Sequence, residues 1–407
     1  MRHPASVASA ALGGTVAQAA APLAMAMRVV PLRPPSVSSA PSPAAAASPA
    51  LLPPPNRRGS PLSFSVPALF SAVVPLVISP TETSRLNAHT SHRFNSDAVA
   101  RSESISCVLS HLRDVFRESI PTSQQPIELL VFGSCGNGFG SSTSDLDVCI
   151  MPPRHDVTSS IDYLKLVHRI LIASSAIFSD IQGVFTARVP VVKCIHVPTG
   201  IECDLVLRNP LAVRNTALLR TYSKLDDRIP PLVRMVKDWA SHHGILGAHS
   251  HFLSSYAWTI LVLYYCQVRS LIPSLQDHAL IAAFTESHRS ASSSPSTAFS
   301  IPFVDDADFA MSWWSGQHRI LSERGLTLAD LFVGFLDYFA HRWDWTGGVV
   351  DIRGQSCLDT RSTRFSRPLR LCIRDPLELD HGGFGNLLYS VDWIILRFWL
   401  LQTYVAS

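Results

Sequence analysis

The chain has 407 residues, 47% of them hydrophobic and 16% charged, enough apolar content for a sizeable core, and this excludes global disorder. The net charge is +3, but five arginines (Arg2, Arg28, Arg33, Arg57 and Arg58) precede Glu82, the first acidic residue, leaving 29 basic against 31 acidic residues in 82–407. The body of the protein is therefore not a strongly basic wrapper of nucleic acid.

Residues 1–81 hold 15 of the 29 prolines up to residue 80, among Ala and Ser tracts, and no helical or strand period survives there. Arg-containing, Ser-rich and acid-free, this stretch has the composition of a mitochondrial transit region, and the expectation is a disordered leader and a mitochondrial matrix destination. A low-complexity extension with no targeting role has the same composition. Residues 63–78 are apolar but carry Pro67 and Pro75 and are short for a membrane span. From Glu82 the pattern is globular. Residues 104–119 read as an amphipathic helix, 127–132 and 146–151 as strands, 161–174 as a helix, and 189–196 and 201–207 as strands. From about Asn209 the period turns helical, and 252–268 reads as a buried core helix rather than a span, so no membrane association is expected. The division is 82–208, an α/β unit, and 209–407, a mainly helical unit. Eight cysteines lie scattered, with no CxxC and no Cys/His ladder, which argues for a reducing compartment and against disulfides or a zinc site.

The most informative segment is 129–150, LLVFGSCGNGFGSSTSDLDVCI. A strand ends at Gly133-Ser134, a Gly/Ser-rich loop follows, and Asp145-Leu146-Asp147 opens the next strand. Residues two apart on a strand share a face, so both carboxylates point one way while Leu146 points to the core. Paired hard oxygen ligands suit Mg²⁺ (or Mn²⁺), with phosphate and water completing the shell. Gly133 permits close backbone approach to a phosphate, and Ser134 and Ser144 add hydroxyls. A third acid, Asp204, sits in the apolar run IECDLVL, where a charge is costly unless paired or metal-bound. Two solvated aspartates beside a flexible loop are the plain alternative for the DxD pair taken alone. Three carboxylates on neighbouring strands suit two-metal phosphoryl transfer.

This G-S…D-x-D…D set resembles the DNA polymerase β-like nucleotidyltransferase superfamily. The stretches VRNTALLRTYSKLDDRIPPLVRMVKDWASHHGI, FLSSYAWTILVLYY, LTLADLFVGFLDYFAHRWDW and LCIRDPLELDHGGFGN resemble its branch of terminal uridylyltransferases and atypical poly(A) polymerases. Asp204 follows Asp147 by only 57 positions, which leaves no room for an inserted middle domain. With its Arg-rich leader, the chain most resembles the minimal trypanosomatid uridylyltransferases of the mitochondrial editosome-like complex. The resemblance implies a two-lobed fold: a mixed-sheet palm followed by a helical, poly(A) polymerase-associated domain. It also implies template-independent addition of UMP from UTP to RNA 3′-hydroxyl ends, as in RNA editing, with pyrophosphate released. A single-stranded RNA 3′ end and a mitochondrial RNA-processing complex would be the partners.

The implied roles fall on particular residues. Asp145, Asp147 and Asp204 would be catalytic and hold the metal. Asn215 matches a ribose contact, although Asn-Thr before an apolar run also reads as a helix N-cap. Lys237 matches a triphosphate-binding lysine, and this chain has only four lysines, Lys165, Lys193, Lys224 and Lys237. Where relatives often carry a second lysine one turn later, Ser241 stands, with a hydroxyl but no charge. Ser255 would contact the phosphates, and Tyr256 matches the aromatic that stacks on the base, or is an ordinary helix-start tyrosine. Asp375 and Glu378 match the acidic pair directed at the uracil edge, and His381 a residue that discriminates against ATP. Gly382-Gly383 departs from the family at that point. The rival readings are a poly(A) polymerase of the same fold and a catalytically silent RNA-binding subunit.

Overall fold

Apolar side chains at Ile105, Val108, Leu109, Leu112, Val115 and Phe116 recur at helical spacing and put one stripe on the helix over residues 101–119 (α1). In the computed structural model, residues 101–153, 159–247, 252–288, 302–317, 325–345, 348–354 and 371–377 are described. The leader, Glu378, His381 and Gly382-Gly383 lie outside them.

The α1 stripe packs on a five-stranded mixed sheet together with the helix Ser160–Ala173 (α3), whose start is capped by Ser159 accepting from the Asp162 N–H. The strands are Glu128–Phe132 (β1), Leu146–Met151 (β2), Phe178–Val184 (β3), Val191–His196 (β4) and Ile201–Leu207 (β5). A short helix, Gly133–Asn137 (α2), follows β1 directly. The spatial order is β1-β2-β5-β4-β3, with β2 and β5 parallel and every other neighbouring pair antiparallel. Leu146, Val148 and Ile150 of β2 and Cys203 and Leu205 of β5 are fully buried against the helices. The intervening residues, Asp147 and Asp204 among them, therefore face the other way.

The strand β3 was not expected from the sequence. Asp180, Gln182 and Gly183 interrupt its apolar alternation, Asp180 takes a left-handed φ of 50°, and the register with β4 shifts between Ser179 and Gln182. A bulged edge strand has no clean two-residue period to read.

Beyond the sheet come the helices Pro210–Tyr222 (α4), Ile229–His242 (α5), Ser255–Val268 (α6), His278–Ser287 (α7), Ala307–Gln317 (α8) and Leu328–Asp337 (α9). A π-helical turn, Tyr338–Arg342, continues α9. A second core gathers here: Leu218 and Tyr222 of α4, Leu232, Val236 and Trp239 of α5, Trp258 and Leu261 of α6, and Phe335 of α9. Helix α6 is buried around most of its circumference, as expected of a core helix, and among the described residues no helix is long and apolar enough to cross a membrane. A parallel pair, Val349–Val350 (β6) and Cys372–Ile373 (β7), was also not foreseen; two-residue strands leave no period to detect.

Candidate active site

Register assembles the site. Asp147 pairs with Asp204 across β2 and β5, Asp204 with Lys193 across β5 and β4, and Phe132 with Asp147 across β1 and β2. One row across the sheet thus reads Phe132, Asp147, Asp204, Lys193, and Asp145 stands two residues before Asp147, exposed at the mouth of β2. Gly133 follows Phe132 with φ +66°, and a Cβ there would lie 2.0 Å from Asp147 Oδ2, so both the backbone and the space demand glycine. The Gly133 N–H donates to Thr216 Oγ1 at 3.0 Å, tying the loop to α4.

The electrostatics are those of a site short of positive charge. Burial, then Asp204, then Asp145 push the Asp147 carboxyl up to about 7, with Lys193 the opposing influence. Lys193 donates to Asp204 Oδ2 at 2.5 Å, and that hydrogen bond raises its own pKa. Two acidic side chains sharing one ammonium, with hard oxygen donors and a third acid beside them, fit divalent cations. The carboxylates of Asp145, Asp147 and Asp204 are the residues that would hold them.

The loop between α2 and β2 is tied down from several sides. Arg101 of α1 donates to the Ser142 carbonyl at 2.9 Å and to that of Ser144. Cys135, its thiol pushed up by burial, donates to the Asp145 carbonyl at 3.2 Å. The Ser144 hydroxyl accepts from the Ser141 N–H at 2.9 Å and so serves its own turn. Ser134 is partly buried beside Gly133.

Lys237 and Arg234, one turn apart on α5, reach across to this loop, donating to the Phe139 carbonyl at 3.1 Å and the Gly140 carbonyl at 3.0 Å. Burial first, and Arg234 second, bring the Lys237 ammonium down to about 8. Ser241 is exposed at the end of α5, and His243 is bonded to the Trp239 carbonyl at 2.8 Å. Asn215 sits inside α4, whose cap is Asn209, accepting from Ala212 N–H at 3.1 Å; the N-cap alternative for Asn215 is thereby excluded. Ser254 caps α6, which leaves Ser255 exposed at its first turn. The Tyr256 hydroxyl lies 3.2 Å from Asn215 Oδ1 and 3.2 Å from Asp375 Oδ2. One hydroxyl proton serves one acceptor at a time, and the charged Asp375 forms the stronger bond. Asp375 is 5% exposed and held by the Leu377 N–H at 2.9 Å. Beside it, Arg374 donates to Asp351 at 2.9 Å; burial pushes Asp351 up, but Arg353 and Arg374 outweigh that and hold it low.

The structure thus brings Asn215, Tyr256 and Asp375 together and places Lys237 against the loop. It leaves Ser144 turned inward and Ser241 exposed. Sequence reasoning missed Lys193, Arg234, Arg101 and Thr216. Lys193 was the findable one, a rare lysine on the strand next to Asp204.

Residues 87–224 match the family model described as the central palm domain of mitochondrial-like poly(A) RNA polymerase, and residues 327–381 match the Cid1 family poly A polymerase model. The chain is 31% identical over 281 residues to Poly(A) RNA polymerase GLD2-A of Xenopus laevis, covering 65% of this chain and 50% of that one. It is 30% identical over 296 residues to Terminal uridylyltransferase 7 of Homo sapiens, covering 70% of this chain and 19% of that one. The chain spans about half the length of the poly(A) polymerases it matches. Among solved structures, the Cid1 poly(U) polymerase with MgATP superposes with a TM-score of 0.59 at 23% identity, over 80% of this chain and 94% of that chain. A cytoplasmic RNA terminal U-transferase superposes equally, at 0.59 and 23%, over 80% of this chain and 93% of that one. The carboxylate row and the helical unit beside it are therefore built on a Cid1-like fold, and in sequence they are similar to poly(A) and poly(U) polymerase-like nucleotidyltransferases over the stretches given.

Proposed function

We propose that the protein is a template-independent RNA terminal uridylyltransferase, joining UMP from UTP to an RNA 3′-hydroxyl and releasing pyrophosphate. The observation that carries the transfer chemistry is the cross-sheet row of Asp147, Asp204 and Lys193 beneath Gly133, with an Asp147 carboxyl pushed up to about 7 by burial first and then by Asp204 and Asp145, a row short of positive charge. Divalent ions, Mg²⁺ in the first instance and Mn²⁺ as a substitute, supply that charge when bound, lowering the pKa of the attacking hydroxyl and screening the triphosphate. Asp145, Asp147 and Asp204 would hold them. A bond forms between the 3′-oxygen and the α-phosphorus, and the bond to the β-phosphate breaks. Gly133 and Ser134 lie against the phosphates, Lys237 offers a point charge to them, and Asn215 faces the ribose.

Tyr256 stacks on the base, which by itself selects nothing. Selection is assigned to the Asp375 carboxylate, with Glu378 and His381 completing the set. Uracil presents an N3–H donor to such an acceptor, whereas adenine presents an acceptor at N1. The named uridylyltransferase and poly(U) polymerase among the relatives support this reading. The GLD2 poly(A) polymerases among them favour a second one, in which ATP is the substrate. Purified protein, a short single-stranded RNA primer, Mg²⁺ and each NTP supplied separately distinguish the two. Lengthening with UTP is expected; lengthening with ATP alone supports the second reading, and none with any NTP overturns both. The mitochondrial matrix, and an RNA-processing complex there, are proposed on the composition of residues 1–81; a reporter fused to that segment and left in the cytosol would contradict them.

A further inference from the structure

Among the described residues, one set of three metal-ligating side chains converges, and none of them belongs to the carboxylate row. Cys107 and His111 of α1 and His196 at the end of β4 present ligand atoms that all lie within 4.8 Å of one another. Cys107 and His111 are four residues apart on one helix and so share a face. His196 is fully buried, its ring 5.5 Å from that of Phe178. Its two nitrogens are both directed: Nδ1 lies 2.8 Å from Thr199 Oγ1 in the turn before β5, and Nε2 lies 2.8 Å from His111 Nδ1.

We propose that Cys107, His111 and His196 form a zinc site that fastens α1 to the sheet. Fixing one imidazole nitrogen with a hydroxyl, so that the other points at the ion, is the usual outer support of a ligating histidine. With Nδ1–H donated to Thr199, His196 turns a lone pair toward His111, and one proton sits between the rings. An ion takes the place of that proton, which moves to the outer nitrogen of His111, while the Cys107 thiol proton leaves to solvent. Nitrogens each about 2.0–2.1 Å from a tetrahedral ion stand farther apart than in this hydrogen bond. The half-buried His111 side chain is free to make that adjustment. One thiolate and two imidazoles form a borderline-soft set that suits Zn²⁺ and not Mg²⁺. The partial exposure of Cys107 and His111 leaves a fourth position to water.

The role is architectural. His196 lies three residues beyond Lys193 on β4, about 10 Å along the strand, and so apart from the row of acids. What the site joins is the helix carrying Val108, Leu112 and Phe116 of the palm core to the end of β4 in the sheet it covers. The scattered cysteines argued against zinc in the sequence, because two ligands come from a single helical turn and the third lies 85 residues on.

The test is metal binding by the full chain. After chelation, the protein is titrated with Zn²⁺ alone, following its melting temperature, and with Co²⁺ alone, following the thiolate-to-cobalt absorption band. The expected result is one equivalent bound, a higher melting temperature, and a cobalt band lost in both Cys107→Ser and His111→Gln. Both changes are at partly exposed positions. Thr199→Val should weaken binding by about 10–100-fold. A wild type with no band and no zinc-dependent stabilisation overturns the proposal. So does a bound equivalent that survives Cys107→Ser but leaves with Asp145→Asn/Asp147→Asn, since it would belong to the carboxylates.

Discussion

Gly133 shows how much one residue decides. Its positive φ and the 2.0 Å approach of Asp147 Oδ2 to the position of a Cβ leave no place for a side chain. In Gly133→Ala the carboxylate must shift, and displacing a reacting constellation by about 1 Å costs on the order of 100-fold in rate. We expect that loss in kcat for nucleotide addition, with far-ultraviolet circular dichroism unchanged; a fully active variant would remove Gly133 from the site. Lys237 gives a pH signature. Its pKa is depressed to about 8, so the ammonium is present below that value and lost as pH rises through it. The KM for UTP should therefore climb above pH 8 in the wild type. In Lys237→Arg, whose side chain stays charged, the climb should flatten. A wild-type KM indifferent to pH from 7 to about 9.5 would separate Lys237 from the triphosphate.

At the scale of elements, Tyr222 at the end of α4 is a hub. Its hydroxyl accepts from the Leu275 N–H and from Gln267 Nε2, both at 3.1 Å, and donates to the Ile352 carbonyl at 3.3 Å, while burial pushes its pKa up to about 12. Tyr222→Phe takes the acceptor from the Leu275 N–H, while the Ile352 carbonyl keeps Gln267 and Ser274, at a cost of about 1–3 kcal/mol, measurable by urea unfolding, with the UTP/ATP ratio unchanged. Elements were legible where one period ran unbroken. The strands 146–151 and 201–207 and the helix ending near 173 stand almost as read, because the first two are short, mostly apolar runs and apolar residues recur at helical spacing in the third. β3 was illegible because a bulge and a left-handed aspartate break its alternation. The site was legible in its acids, since Asp-x-Asp and an acid in an apolar strand are local patterns. Its cations were not: Arg101, Lys193 and Arg234 reach the site through register and helix packing, which no local spacing records.

For the whole molecule, the charge row couples stability to pH. The Asp147 carboxyl has an ordinary value of 3.8 and is raised to about 7 in the folded state. Between those values the folded state holds a proton that the unfolded chain has released, so stability from this group is present at low pH and lost as pH rises toward 7. In the metal-free protein, the melting temperature of the wild type relative to Asp147→Asn should fall over that window, and saturating Mg²⁺ should flatten the difference. A difference independent of pH would mean that Asp147 does not sense its neighbours. The weakly acidic body is consistent with the proposed function, in which carboxylates that recruit positive charge, and not a basic surface, carry the chemistry.

Under the proposed function, this row of acids transfers a nucleotide to RNA and the Asn215, Tyr256 and Asp375 cluster chooses uracil. This is tested most directly by single-nucleotide addition to a short RNA primer, comparing kcat/KM for UTP and ATP in the wild type, Asp147→Asn and Asp375→Ala. The wild type should prefer UTP, Asp147→Asn should add neither nucleotide, and Asp375→Ala should add nucleotides with a reduced UTP/ATP ratio. An active Asp147→Asn, or a wild type that prefers ATP, would contradict it.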